Sequence, residues 1–180
     1  MEFVKKLFQD DIVRRYFVMN TFDGVLSGIG ILIALLISGI YETRIIIISC
    51  MGSGIAMAVS GIWGAYLIER AERKHKLIKN NLEKDKQLIN ENIKKSIIVG
   101  LVDGISPFLA ILFLIFPFFL TDVMTAYAVS FIISIVIIAF LGVFIAKIGR
   151  QKVLISIAKL LLAALTVTAI IYLMEMLKII

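Results

Sequence analysis

Residues 45–68 read IIIISCMGSGIAMAVSGIWGAYLI and contain no Asp, Glu, Lys, Arg or His. An α-helix needs about 20 apolar residues to cross roughly 30 Å of bilayer hydrocarbon. We therefore predict that this stretch is a membrane-spanning helix. Four further spans are predicted from apolar stretches at 17–40, 97–120, 124–147 and 153–177. The predicted fold class is an all-α integral membrane protein with five transmembrane helices.

The overall composition agrees with a membrane protein. The 180 residues are 61% hydrophobic and 18% charged, with a mean hydropathy of +1.02, whereas a soluble domain is about 45–50% apolar and about 25% charged. This excludes a soluble enzyme, a nucleic-acid-binding module and a disordered tail. The chain has no Gly-rich phosphate loop, HExxH motif or CxxC pair, so we expect neither an enzyme nor a bound cofactor.

The net charge of +6 is explained by the loops between spans. Sixteen Lys and Arg residues lie in the N-terminal segment, in residues 69–95 and in the turn after span four, against two on the other side, Arg44 and Lys178. Because positive loops stay in the cytoplasm, the N-terminus is predicted inside and the C-terminus outside. We expect a multi-pass protein of the cell membrane in a prokaryote, or of a vacuolar-type membrane in a eukaryote, with no nucleic-acid partner.

Four segments are predicted along the chain. Residues 1–16 place apolar side chains at helical spacing and predict an amphipathic helix on the membrane surface. Residues 17–68 hold spans one and two, and residues 96–180 hold spans three to five. Between them, residues 69–95 are rich in Lys, Glu and Asn but keep an apolar stripe. They predict a short, charged, cytoplasmic insertion of two helices, the first continuing straight out of span two, with a break at Asn80-Asn81.

Spans one and three share a pattern. FDGVLSGIGILIAL and VDGISPFLAILFLI align Asp23 with Asp103, which predicts a parallel internal repeat. An Asp at this depth costs on the order of 2–3 kcal/mol on insertion, so its presence twice favours a functional role. The alternatives are that Asp23 forms an ion pair with Arg15 or Lys159, or that it hydrogen-bonds to Ser and Thr side chains on neighbouring helices.

Two further residues extend the candidate site. Pro107 has no N–H, so the carbonyl of Asp103 loses its helical partner and could act as a hard oxygen ligand; alternatively, the proline only bends span three. Met57 is the one long side chain in a stripe of small residues in span two. A thioether beside carboxylates suits a divalent transition metal, although Met more often fills gaps in packing.

Glu69 and Glu72 stand at the end of span two. Their spacing of three residues places both carboxylates on one helix face, where they can share a hydrated cation. Arg70 and Arg73 alternate with them, so surface ion pairs are the alternative interpretation.

Three stretches carry a resemblance to a known family: RRYFVMNTFDGVLSGIG (14–30), GIAMAVSGIWGAYLIERAER (54–73) and VDGISPFLAILFLIFPFF (102–119). They resemble the vacuolar iron transporters, particularly the shorter prokaryotic members. The resemblance implies a homodimer that exports Fe²⁺ or Mn²⁺ from the cytoplasm by proton exchange, through a path at the dimer interface. It also implies that Asp23 and Met57 match the metal-binding aspartate and methionine of the first two spans.

The sequence departs from that family in two places. The family's glutamate-rich cytoplasmic domain is reduced to residues 69–95, where Glu69 and Glu72 match a Glu-x-x-Glu pattern. The family's glutamate shortly after the second-span methionine has no counterpart, because Ser60 and Gly61 stand there.

The leading hypothesis is therefore a dimeric secondary transporter of a divalent metal ion, with the metal as substrate. The two alternatives are a transporter of a non-metal cation on the same scaffold and a membrane scaffold protein that transports nothing. The predicted metal ligands are Asp23, Met57, Asp103, Glu69 and Glu72.

Overall fold

The computed structural model describes residues 10–82 and 85–177, and five long α-helices account for most of them. The helices are α1 (Asp11–Ile37), α2 (Thr43–Lys79), α3 (Lys86–Ile115), α4 (Val123–Gly149) and α5 (Val153–Met176). All five are long and apolar enough to cross a membrane, and the described residues contain no β-strand. The prediction of an all-α, multi-pass membrane protein is confirmed at this level.

The helix boundary at the N-terminus differs from the predicted segments, whereas the second helix runs on past span two and ends before Asn80 as predicted. Helix α1 begins at Asp11 and is continuous with the first span, while residues 1–9 of the predicted surface helix lie outside the described residues. Helix α2 continues to Lys79 and α3 begins at Lys86. The charged residues after span two therefore extend the membrane-spanning helices themselves, because Lys, Glu and Arg are good helix formers.

Aspartates begin three of the helices. Asp10, Asp85 and Asp122 each accept hydrogen bonds from backbone N–H groups of the first helical turn, which have no partner within the helix. At Asp122, which lies just outside α4, hydrogen bonds from Thr125, first from its backbone amide, lower the pKa of the carboxyl. These caps mark where each helix begins.

Helix α3 is the centre of the bundle, in contact with α1, α2 and α4. Its apolar side chains contribute to three buried clusters. Their buried members are Leu32, Ile46, Cys50, Ile111, Leu114, Ile115, Phe118, Ala126 and Tyr127; Val25, Ile29, Ala110, Ile138 and Ala164; and Val13, Ala65 and Val99. Cys50 is thus a packing residue.

Glycines let α3 approach α1 and α2 closely. A Cβ at Gly24 of α1 would lie 2.5 Å from the carbonyl oxygen of Pro107, and one at Gly100 of α3 would lie 2.7 Å from the carbonyl oxygen of Ile62 in α2. Real Cβ contacts are longer than this, so any side chain at these positions would force the helices apart. In the three helices that carry the candidate site residues, backbone atoms of α3 therefore lie in direct contact with α1 and α2.

Neither proline interrupts a span. Helix α3 continues through Pro107, which is buried against α1, so it does not break the helix beside Asp103. Pro117 lies in a short 3₁₀ turn, Phe116–Phe119, after the end of α3. Pro117 is therefore a helix-end residue.

Candidate functional site

A cavity of about 580 Å³ lies between α1, α2 and α3 and opens to the outside of the bundle. Its polar lining comes from all three helices. The side chains that matter for chemistry are Tyr16 and Asn20 of α1, Met57 and Ser60 of α2, and Asp103 of α3. The rest of the lining is mostly small or apolar.

Asp103 is the buried acid of this cavity, with 9% of its surface exposed. One carboxylate oxygen, Oδ1, accepts a hydrogen bond from the Nδ2 amide of Asn20. The other, Oδ2, faces Gly61 of α2, where a Cβ would lie only 2.8 Å away. Because Gly61 has no side chain, the carboxylate of α3 reaches the surface of α2. Asp103 therefore lies where all three helices meet.

Asn20 fixes the orientation of that carboxylate. Its Nδ2 donates to Asp103 and also to the backbone carbonyl oxygen of Tyr16, one turn earlier, at 2.9 Å. Both partners are acceptors, so the amide nitrogen must face them and the amide oxygen must point elsewhere. Asn20 thus ties α1 to α3 inside the membrane-spanning part of the bundle.

Asp23 occupies a different environment from its repeat partner. Its side chain is exposed on α1 and does not line the cavity. Within the described residues, no ion pair joins it to Arg15 or Lys159, so the predicted alternative of a paired Asp23 is not what the structure shows. The two aspartates align in sequence but differ in burial.

Met57 lies at the cavity wall and is half-buried. It also packs against the largest apolar cluster. The structure therefore brings Met57 and Asp103 to one cavity, as the ligand hypothesis requires, while giving Met57 the packing contacts of the alternative interpretation.

Glu69 and Glu72 line a second cavity of about 330 Å³, together with Arg15, Arg73 and Lys76. Glu69 is buried, and its Oε2 lies 3.2 Å from Nη2 of Arg73, whereas Glu72 is exposed. The ion-pair interpretation therefore holds for Glu69, although the pair is buried rather than on the surface.

Tyr16 connects the two cavities. It lines the first cavity, and its side chain interacts with the carboxylate of Glu69 in the second. Asn20 follows one turn later and contacts Asp103. Two polar side chains of α1, Tyr16 and Asn20, thus lie between Glu69 and the buried carboxylate of Asp103.

Tyr16, Asn20 and the pair Gly100-x-x-x-Gly104 are not among the predicted site residues. Tyr16 and Asn20 could have been found from their spacing, since the polar residues at 16, 20 and 23 recur every three or four positions and so lie on one face of the helix. The glycine pair has the four-residue spacing of close helix packing. No group of three or more His, Cys, Asp or Glu side chains that could hold a metal ion occurs in residues 10–82 and 85–177.

The fold and the cavity define a multi-pass α-helical membrane protein with a buried carboxylate between three spans. The chain is 38% identical over 173 residues to the uncharacterized protein MJ0645 of Methanocaldococcus jannaschii, a match that covers 89% of this chain and 87% of that protein. The chain therefore belongs to the same family as MJ0645. Neither a family model nor a solved structure matches it.

Proposed function

We propose that this chain is a secondary transporter that exports Fe²⁺ or Mn²⁺ from the cytoplasm in exchange for protons. The observation that carries the proposal is the Asp103 carboxylate, buried in a cavity between membrane-spanning helices with Met57 in the same wall. Ionisable groups inside a membrane are costly and mark ion pathways. A carboxylate also binds a proton, so cation and proton can compete for one group, which is the basis of exchange.

The ligand chemistry favours a transition metal over Ca²⁺ or Mg²⁺. Asp103 supplies a hard oxygen, and Met57 supplies a soft sulfur. Mixed oxygen and sulfur ligands suit a borderline divalent ion such as Fe²⁺ better than Ca²⁺ or Mg²⁺, which take oxygen alone, while Mn²⁺ would bind chiefly through the carboxylate. This chain lacks the glutamate that the resembling family has near position 61. Asp103 would take the place of that carboxylate, because its Oδ2 lies against Gly61.

A second copy of the chain would complete the site. Gly52, Ala56 and Ser60 of α2 form an exposed stripe of small residues, and a Cβ at Gly52 or Gly64 would meet nothing within 4 Å. Small residues allow close helix contact in lipid. We propose that two such faces meet in a homodimer, which closes the open cavity and shields the exposed Asp23 from lipid.

The second cavity is the proposed cytoplasmic entrance. Glu69 and Glu72 lie there among three cationic side chains. An arriving divalent ion would exchange places with Arg73 at the Glu69 carboxylate, so that the ion pair opens only when a cation replaces the guanidinium.

Transport by proteoliposomes tests the proposal. Asp103→Asn keeps the shape of the side chain but removes its charge, so we expect Mn²⁺ and Fe²⁺ uptake to be lost. Asp23→Asn is expected to lose uptake as well. The matched control is Asp122→Asn, which removes a charge outside the spans while keeping a good helix cap.

Met57→Leu tests the sulfur ligand. The change conserves volume and typically costs under about 1.5 kcal/mol, so selective loss of Fe²⁺ and Mn²⁺ flux at an unchanged thermal midpoint is expected. Met51→Leu is the control, because Met51 is half-buried on the same helix and packs against the same cluster.

Two outcomes would overturn the proposal. Proton or organic-cation flux that ignores Fe²⁺ and Mn²⁺ would indicate a non-metal transporter, and no flux from folded protein would indicate a scaffold. Light scattering on the same purified protein gives its oligomeric state, and a monomer would contradict the proposed dimer.

A further inference from the structure

Asn20 is the side chain in direct contact with the buried acid. Its Nδ2 donates both hydrogens, one to Asp103 Oδ1 and one to the Tyr16 carbonyl, and the residue lines the cavity. Nothing in the internal repeat or in the charged motifs accounts for an amide at this position. Its partner is on another helix, 83 residues away in the chain.

The side chain has two chemically different ends. With no cation present, the N–H end satisfies a carboxylate that would otherwise be buried without a partner, which is costly in a medium of low dielectric. A cation at Asp103 reverses this preference, because a positive ion repels an N–H group and attracts a carbonyl oxygen. Rotation about the last side-chain bond exchanges the two ends without any movement of the backbone.

We propose that Asn20 is a direct ligand of the cation that binds at Asp103, through its Oδ1 after this rotation. The inference rests on the proposed function and adds a second hard oxygen to the site. The empty state keeps both hydrogen bonds of the amide nitrogen, and in the loaded state the bound cation has to offset the hydrogen bond to the Tyr16 carbonyl that the rotation breaks. The carboxylate keeps a hydrogen-bond donor when the ion leaves, so an empty site is not left uncompensated.

Two substitutions separate a ligand from a hydrogen-bond donor. Asn20→Leu is of similar size and removes both the oxygen ligand and the N–H donor. Asn20→Asp keeps an oxygen at the same place but has no N–H, and when ionised it is an acceptor only. Thr21→Val is the control, since Thr21 is the next residue on α1 and does not line the cavity. Mn²⁺ binding to the purified full chain is measured by titration with paramagnetic resonance detection, and Mn²⁺ uptake is measured in proteoliposomes.

A ligand role predicts that Asn20→Leu weakens Mn²⁺ binding by about 10- to 100-fold, the range found when groups that support a metal site are removed. The half-saturating Mn²⁺ concentration for uptake should rise accordingly. The Mn²⁺ affinity of Asn20→Asp should be closer to that of the wild type than the affinity of Asn20→Leu is. Thr21→Val should have the wild-type affinity. If Asn20→Leu lowers the thermal midpoint, Asn20→Ala, which removes the amide without a branched apolar group, replaces it.

Asn20→Asp binding as weakly as Asn20→Leu would overturn the proposal, because it would show that Asn20 acts only by donating to Asp103. Wild-type binding by Asn20→Leu would also overturn it. Both outcomes differ from failure of the proposed function, in which the wild-type protein itself carries no Mn²⁺ flux.

Discussion

Buried hydroxyl groups in this bundle fall into two kinds. The single hydroxyl hydrogen of Ser130 is shared between the carbonyl oxygen of Leu114 on the neighbouring helix, at 2.5 Å from Oγ, and that of Ala126 on its own helix, at 2.8 Å, which joins α3 to α4. Thr21 and Ser156 are 9% and 4% exposed, and their hydroxyl oxygens have no hydrogen-bond partner within the described residues. A buried polar group without a partner costs about 1–3 kcal/mol, so these two side chains lower the stability of the fold.

Thr21→Val should therefore stabilise the protein by about 1 kcal/mol, because it replaces the unpaired hydroxyl with a methyl group of the same size. Thermal unfolding in detergent measures the change. Ser130→Ala, which removes a paired hydroxyl, should lower the midpoint in the same assay. A lower midpoint for Thr21→Val would mean that its hydroxyl has a partner in the folded protein.

Helix α3 organises the elements around it, because it lies at backbone contact with two neighbours. Its contact with α2 depends on Gly100 and Gly104, and its contact with α1 depends on Gly24. In lipid there is little hydrophobic drive between helices, so close packing of this kind supplies much of the association. The same contacts bring Asn20, Gly61 and Asp103 together.

Gly104→Ala should destabilise the bundle by about 1–3 kcal/mol, the usual cost of overpacking. Its Cβ would lie 2.9 Å from the backbone nitrogen of Ile62, and backbone atoms cannot move aside as a flexible side chain can. The control is Gly52→Ala on the open face of α2, where the added methyl meets nothing within 4 Å. Equal thermal midpoints for the two variants would contradict this packing.

At the scale of the whole molecule, five membrane crossings would leave the two ends of the described chain on opposite sides of a bilayer. From the sixteen Lys and Arg residues against two, we propose that the side that carries α2 beyond Ile68 faces the cytoplasm. This orientation puts the cavity of Glu69 and Glu72 where a transporter that exports metal would take up its substrate.

Labelling with a membrane-impermeant maleimide tests the orientation. Lys79→Cys, at the end of α2, should react only from the cytoplasmic side, and Tyr41→Cys, in the exposed turn after α1, should react only from outside. The native Cys50 is fully buried and should not contribute to the signal. Reaction of Tyr41→Cys from the cytoplasmic side would reverse the topology.

The five spans follow from the sequence alone, because a stretch of some 20 apolar residues in lipid has to satisfy its backbone hydrogen bonds within itself and so becomes a helix. The sequence likewise indicated Met57 and Asp103 as candidates from their residue types at depth in apolar spans.

Tertiary packing alone decided which candidates meet. The repeat treats Asp23 and Asp103 alike, but only Asp103 is buried beside Gly61, because the direction in which a side chain points depends on how its helix packs against the others. The contact of Asn20 with Asp103 was hidden for the same reason, because the two residues lie on different helices, and the burial of Glu69 also depends on how the helices pack. Periodicity identifies the face of a helix, but only packing between helices identifies what that face contacts.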